Sequence, residues 1–380
     1  MRARSPHEPH RAATPLELLF DLVFVVAIAE AASGLHHAIA AHHSADGLIG
    51  YAMVFFAVWW AWMNFTWFAS AYDNDDVPYR LLVFVQITGA LIVAGGVPAM
   101  FEARAPNLAT IGGYVVMRLA MVAQWLRASV ADPKRRVTAR RYAAGIAVLQ
   151  IGWVATLFLP SFRVSVFLLG AAAEMLVPMW AERAARTSWH PHHIAERYGL
   201  LTLIVLGESI FAATMAVQAA VAAGERVVVL APIIVGGLLI VYSLWWLYFD
   251  RSAHDLLTTM RRAFVWGYGH YFVFAAAAAT GAGLGVAVDQ AGAHGSIAPL
   301  TAGLAVSVPV AIYLVCLWIL LDRPEYGWMR ALGPAAAVVV LATAFTPQPV
   351  LWTGVTLATL VAVKLAVRHT KHPEGDPTLQ

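Results

Sequence analysis

The chain has 380 residues, of which 60% are hydrophobic and only 12% are Asp, Glu, Lys or Arg, for a net charge of +3. Soluble domains carry about 25% charged residues, so this chain could not cover a water-facing surface, and it has too much apolar area to remain disordered. A polytopic all-α membrane bundle is the class that remains, with the lipid bilayer as its first partner.

A bilayer core of about 30 Å takes about 20 apolar residues of helix. By that ruler the sequence predicts about twelve spans, at 15–39, 47–71, 80–101, 108–130, 141–160, 163–182, 196–222, 228–249, 263–288, 297–321, 329–346 and 349–367. Charged or Pro/Gly-rich breaks separate them: DNDDVP at 73–78, DPKRR at 132–136, RTSWHPHH at 186–193 and DRPEYG at 322–327. FTPQP at 345–349 leaves open whether the last two spans both cross. The first span resembles a signal peptide, but Glu17 and Asp21 fall inside its apolar run, and the run continues past Ala29, so it reads as a retained helix.

With a cytoplasmic N-terminus, 20 Lys and Arg fall on the inside and 3 on the outside, Arg104, Arg163 and Arg226. That asymmetry predicts both termini in the cytoplasm of a cell with the chain in its cytoplasmic (inner) membrane. The expected organisation is a cytoplasmic segment 1–14, a six-helix half 15–185, a linker 186–195, a second half 196–367 and a cytoplasmic tail 368–380. Trp59-Trp60-Ala61-Trp62-Met63-Asn64 in span 2 and Trp245-Trp246-Leu247-Tyr248-Phe249-Asp250 in span 8 resemble each other, which suggests two parallel halves. Parallel halves with a site at their interface are a transporter arrangement.

A charge at mid-bilayer costs at least about 2.5–3.5 kcal/mol, so each one needs a reason. At a rise of about 1.5 Å per residue, Glu30 and Arg118 come out about 18–22 Å deep and Glu208 about 16 Å. Asp21, Glu174 and His270 fall at about 9–12 Å, while Glu17, Glu196 and Arg197 stay near the inner interface. Four deep acids thus face one arginine and one histidine, so at least two should be protonated or hold a cation. Arg118 is expected to pair with Glu208 or Glu30, and Glu208 or Asp21 to carry a proton. Glu17 and Asp21 share one stripe of span 1, and Glu30, Ser33 and His37 form a second.

Apart from His270, the fourteen histidines divide between the two sides of the membrane, and they form no HExxH, so no metal or other cofactor is expected. His192 and Glu196, four apart, would be the nearest approach to a metal pair, with a solvated His-rich loop as the plainer reading. Gly207-Glu208-Ser209 imitates a nucleophile motif without its closing glycine, and phosphate-loop and dinucleotide glycine patterns are absent. Nothing points to nucleic acid. The lone Cys316 excludes an internal disulfide.

Two long runs resemble the low temperature requirement A (LtrA) family. They are TPLELLFDLVFVVAI at 14–28 and ERYGLLTLIVLGESI at 196–210, joined by MRLA at 117–120 and QWLR at 124–127. The resemblance implies a bacterial multi-pass membrane protein and singles out Glu17, Asp21, Arg118, Glu196, Arg197 and Glu208. The family name records growth in the cold, a phenotype and not a chemical activity. Three functions compete. The favoured reading is a secondary transporter of a small solute, coupled to protons or sodium. A membrane sensor or assembly factor linked to low-temperature growth comes next, and an intramembrane enzyme last; no enzyme is expected.

Overall fold

A computed structural model gives the architecture, described for residues 4, 12–103, 105–159, 161, 164–251, 254–257, 259–292, 297–322 and 327–371. Most of the expected N-terminal segment, the tail beyond residue 371, His7, His10, His294, His372, Arg104 and Arg163 lie outside these residues. Twelve α-helices follow one another, and the described residues contain no strand. They are α1 Pro15–Ala40, α2 Ser44–Tyr72, α3 Val77–Ala103, α4 Leu108–Ala131, α5 Arg136–Ala155, α6 Val164–Ala181, α7 Pro191–Ala222, α8 Val227–Phe249, α9 Met260–Ala291, α10 Pro299–Leu317, α11 Leu332–Thr343 and α12 Pro349–Lys371. Each predicted span matches one helix. Eleven are long and apolar enough to cross a membrane, while Gly327–Thr343 is a shorter apolar segment whose α-helical part has 12 residues. At about 1.5 Å per residue, α11 alone reaches about 18 Å, short of the hydrocarbon core.

Local chemistry sets the helix starts. Thr14 caps α1 in a reciprocal capping box: its hydroxyl accepts from the Glu17 N–H, and the Glu17 carboxylate accepts from the Thr14 N–H, with Pro15 next in line. Asn107 and Thr110 form the equivalent box on α4. α7 begins at Pro191, five residues before the predicted span, which brings His193 into the helix and sets Glu196 and Arg197 beyond its first turn.

The chain divides into two compact units, Met1–Ile204 and Val205–Gln380, the division falling within α7. In the first unit α2 is the most enclosed helix; α1 packs on α2 and α3, and α3, α4, α5 and α6 pack in series. α3 and α4 approach until a Cβ on Gly89 would sit 2.7 Å from the Gly113 carbonyl oxygen, so their backbones touch as small-residue membrane helices do. In the second unit α9 is the most enclosed; α10 packs on α9, α12 on α8, and α11 on α10 and α12. There a Cβ on Gly283 would collide with the Ala305 carbonyl oxygen.

Large apolar side chains cover the outside of both units, among them Leu22, Leu81, Leu169, Ile151, Val338 and Trp352. Water would not tolerate that surface, whereas hydrocarbon does, and helices are a form in which a backbone can cross it. The predicted equivalence of the two tryptophan runs does not extend to their surroundings. Trp59, Trp60 and Trp62 are buried, whereas Trp245 and Trp246 are more than 40% exposed.

Candidate functional site

The first unit contains two buried ionic centres, and α2 serves both. The first centre joins the N-terminal turns of α1 and α7. Glu17 and Asp21, one turn apart, meet His193 and Arg197, also one turn apart, and all four side chains are fully buried. The Arg197 guanidinium donates twice to Asp21, from Nη2 to Oδ1 at 2.5 Å and from Nε to Oδ2 at 3.1 Å. Its Nη1 lies 2.9 Å from Glu17 Oε1. His193 Nε2 is 3.1 Å from the same Glu17 oxygen and 3.3 Å from the other. The Trp62 indole donates to Asp21 Oδ1 at 2.6 Å, and the Thr14 N–H and hydroxyl donate to Glu17 Oε2 at 2.8 and 3.0 Å. Glu17 is therefore both a helix cap and a member of the ion cluster.

The second centre gathers five donors on one carboxylate. Glu174 of α6 accepts from Arg118 Nη2 at 2.8 Å and the Trp60 indole at 3.1 Å through Oε2. Its Oε1 accepts from Tyr114 at 3.1 Å, Trp153 at 3.2 Å and Gln150 at 3.3 Å. Arg118 and Glu174 are both buried. Trp60 and Trp62 are two residues apart on α2, which turns their rings to different sides of the helix. The tryptophan run thus supplies an indole N–H to a carboxylate on each side.

A cavity of about 720 Å³ opens at the other end of the unit, where α1 ends and α2 begins. Glu30, Ser33 and His37 line it together, so the second stripe of α1 faces one space. Asp46 and His43 of the α1–α2 end, Glu102 and Phe101 complete its polar and aromatic walls. The Phe101 ring fits against Gly34, where a Cβ would come within 2.6 Å of it.

The opposite end of the unit carries a rim of ion pairs. Arg127 donates to both oxygens of Asp76, at 2.9 and 2.8 Å. Partial burial opposes ionisation of Asp76, but the Arg127 hydrogen bonds, the Tyr79 N–H and the Arg127 charge together outweigh it and hold that carboxyl below its ordinary range. Burial pushes the Glu182 carboxyl upward despite its bonds from Thr187 and Tyr142.

Several expectations change on this geometry. Arg118 pairs with Glu174 and not with Glu208 or Glu30. Arg197 and Glu17, expected at the inner interface, are fully buried, because α7 starts earlier than its charges suggest and because each charge has a partner. Glu196 is partly exposed and accepts from the Ala13 N–H at 3.2 Å. The deep acids therefore divide into paired and unpaired groups. Asp21 and Glu174 each have an arginine, Glu30 faces an open cavity, and Glu208 is only half-buried, with no hydrogen-bond partner among the described residues. His270 is buried in the second unit, 3.0 Å from the Tyr248 hydroxyl and 2.7 Å from the Trp266 carbonyl oxygen. Ser209 donates to the Val205 and Ala277 carbonyls. The His-rich segment is not simply solvated: His192 is exposed, but His190 and His193 are buried.

Sequence reasoning missed His193, Tyr114, Gln150 and Trp153. The signal for His193 was its four-residue spacing from Arg197, which matches the Glu17–Asp21 spacing one to one. The pair weighed instead, His192 and Glu196, lies one residue out of register.

Comparison with known proteins agrees with the signature runs. The family model described as bacterial low temperature requirement A protein (LtrA) matches residues 12–367, nearly the whole chain. An uncharacterised protein of Rhizobium meliloti (strain 1021) is 28% identical over 205 residues, covering 51% of this chain and 48% of the relative. The match thus spans about half the length of that relative. No solved structure matches.

Proposed function

This chain belongs to the bacterial low temperature requirement A family, and we propose that it is a secondary transporter of a small solute, coupled to a proton or sodium gradient. One observation carries the reading: a single helix, α1, lines a ligand-sized polar cavity with Glu30, Ser33 and His37 and, about two to four turns before Glu30, holds the buried Asp21 and Glu17. Binding pockets for small molecules run to about 300–1,000 Å³, and the cavity falls inside that range. Buried ionisable groups within membrane helices mark ion and substrate routes, because their insertion is too costly to keep without use. The lining acids Glu30, Asp46 and Glu102 favour a solute with positive charge.

In this reading the protein sits in the cytoplasmic membrane with both termini inside. The charge asymmetry supports it even after the buried Arg197 and Lys364 are set aside, since eighteen inside charges then face three outside. The Arg127–Asp76 and Arg135–Asp132 ion pairs then lie at the cytoplasmic end, and the cavity opens to the other side.

Purified protein in liposomes carrying a pH-sensitive or sodium-sensitive dye tests the function. Small organic amines are added first, then zwitterions and sugars. One class should dissipate the imposed ion gradient, and Glu30→Gln should slow it. Dissipation no faster than in empty liposomes for every class would overturn the transport reading.

A further inference from the structure

The first ionic centre raises a charge-count question. Glu17 and Asp21 bring two negative charges to a site that water does not reach, and Arg197, which stays protonated, brings one positive charge. A net buried charge is the costly case, so a second positive charge is needed for neutrality. His193 stands where it is needed, with Nε2 3.1 Å from Glu17 Oε1. We propose that the His193 imidazolium, held against Glu17, carries one exchangeable proton and that this proton, not sodium, is the coupling ion of the transport proposed above.

The surroundings fit that assignment. From α1 the facing groups are Glu17 and Asp21. From α7 they are Arg197, Glu196 and Tyr198, and just before it His190, whose Nδ1 lies 3.5 Å from the His193 backbone nitrogen. α2 contributes the uncharged Trp62 and Ser70, the latter accepting from the His190 N–H at 2.9 Å. α3 contributes Tyr79, near enough to Arg197 to interact with its charge. Among the described residues of these four helices no further Lys or Arg enters the centre, so within them the histidine decides its net charge; before α1, Arg4 donates its backbone N–H to the Ala71 carbonyl oxygen at 2.9 Å. In the protonated state the imidazolium Nε2–H donates to the Glu17 carboxylate. On release the proton leaves Nδ1, its bonding pair stays on the ring, and Nε2–H still reaches Glu17. The site then holds one uncompensated negative charge, which favours a different packing of α1 against α7.

Sodium fits poorly. A hard cation needs several free oxygen ligands. Here both oxygens of Asp21 accept from Arg197, Glu17 Oε2 accepts from Thr14, and Glu17 Oε1 faces His193 and Arg197. Sodium sites in transporters also draw on carbonyls of unwound helices, whereas α1 and α7 run unbroken through this region. Among the described residues no group of three or more His, Cys, Asp and Glu could hold a metal ion.

The test uses the full chain in lipid nanodiscs with 15N-labelled histidine rings, His193 being identified by its loss in His193→Gln. Between about pH 5 and 9, His193 should be an imidazolium at the acid end and lose that signal in one step. In Glu17→Gln, Asp21 and Arg197 already balance, so His193 should be neutral over the same range. In His193→Gln the proton should move to Glu17 and give a protonated-carboxyl infrared band absent from the wild type. A wild-type His193 that is neutral throughout, or one equally protonated in Glu17→Gln, overturns the proposal. If Glu17→Gln fails to accumulate, a His193→Gln protein without the carboxyl band does the same. Flux separates the two readings. A titrating His193 in a protein that moves no ion keeps the proton site and ends the transport reading, while sodium-driven flux with a silent His193 keeps transport and ends this proposal.

Discussion

The interior of residues 1–204 is wired with charge, while that of residues 205–380 is almost free of it. The first unit buries Glu17, Asp21, Glu174, Arg118 and Arg197 together with His190 and His193. Among its described residues the second unit buries no acid, and its buried polar groups are hydroxyls, His270 and Lys364. Its helices come together instead through small residues, as at Gly283 against Ala305 and Gly236 against Gly354. Both are ways of associating helices in a solvent that gives no hydrophobic reward for it: one uses ion pairs and indole hydrogen bonds, the other close backbone approach. The difference locates chemistry in the first unit, because packing alone did not require charges there.

The largest expected effect is at the arginines. Arg197→Met leaves two buried carboxylates without their cation, and Arg118→Met leaves one, so each should cost about 3–5 kcal/mol of stability. Folded yield in membranes and thermal unfolding in detergent would show it. The double variant Arg118→Met with Glu174→Met should recover most of that loss, since apolar replacement of a whole buried pair is often neutral. Recovery of fold together with flux would make the second centre purely structural; recovery of fold alone would give it a functional part.

Next comes Trp62→Phe, which keeps a ring but removes the indole N–H from Asp21 and should cost about 1.5–3 kcal/mol. Trp245→Phe, on an exposed face, should cost little. Equal costs would break the contrast between the two tryptophan runs. Gly283→Ala probes the second unit: its new Cβ meets the Ala305 carbonyl, and overpacking of this kind costs about 1–3 kcal/mol. The smallest effect belongs to the half-exposed Arg127–Asp76 pair, worth under about 1 kcal/mol. Asp76 is held below its ordinary range, so its contribution is present above about pH 4 and is lost as pH falls through the depressed value. Arg127→Ala should remove that acid-side slope by lowering neutral-pH stability by under about 1 kcal/mol, with no loss at acid pH.

Much of the fold was legible because hydrocarbon writes its thickness into the sequence: twelve apolar runs gave twelve helices. The Glu17–Asp21 stripe was legible too, since a four-residue spacing places two groups on one helix face. Their partner was not. Arg197 lies 176 residues from Asp21, and no local pattern carries a contact across that distance. Counting depth from the first charge also failed at α7, where Glu196 and Arg197 were taken as the interface although the helix begins at Pro191. The rule that charge marks the membrane surface holds only for charges without partners. Arg118 was rightly expected to be paired, but Glu174 was assigned to another layer because depths from helix ends ignore tilt and stagger.

A double-mutant cycle on Asp21 and Arg197 tests the central claim, that the first unit is held and equipped by ion pairs closed across distant helices. Unfolding stability is measured for the wild type, Asp21→Ala, Arg197→Ala and the double variant in the same lipid. The bidentate contact predicts strong coupling, the double variant losing at least about 1 kcal/mol less than the sum of the single losses. Additivity within about 0.3–0.5 kcal/mol would mean that the two residues do not meet, and would contradict the account.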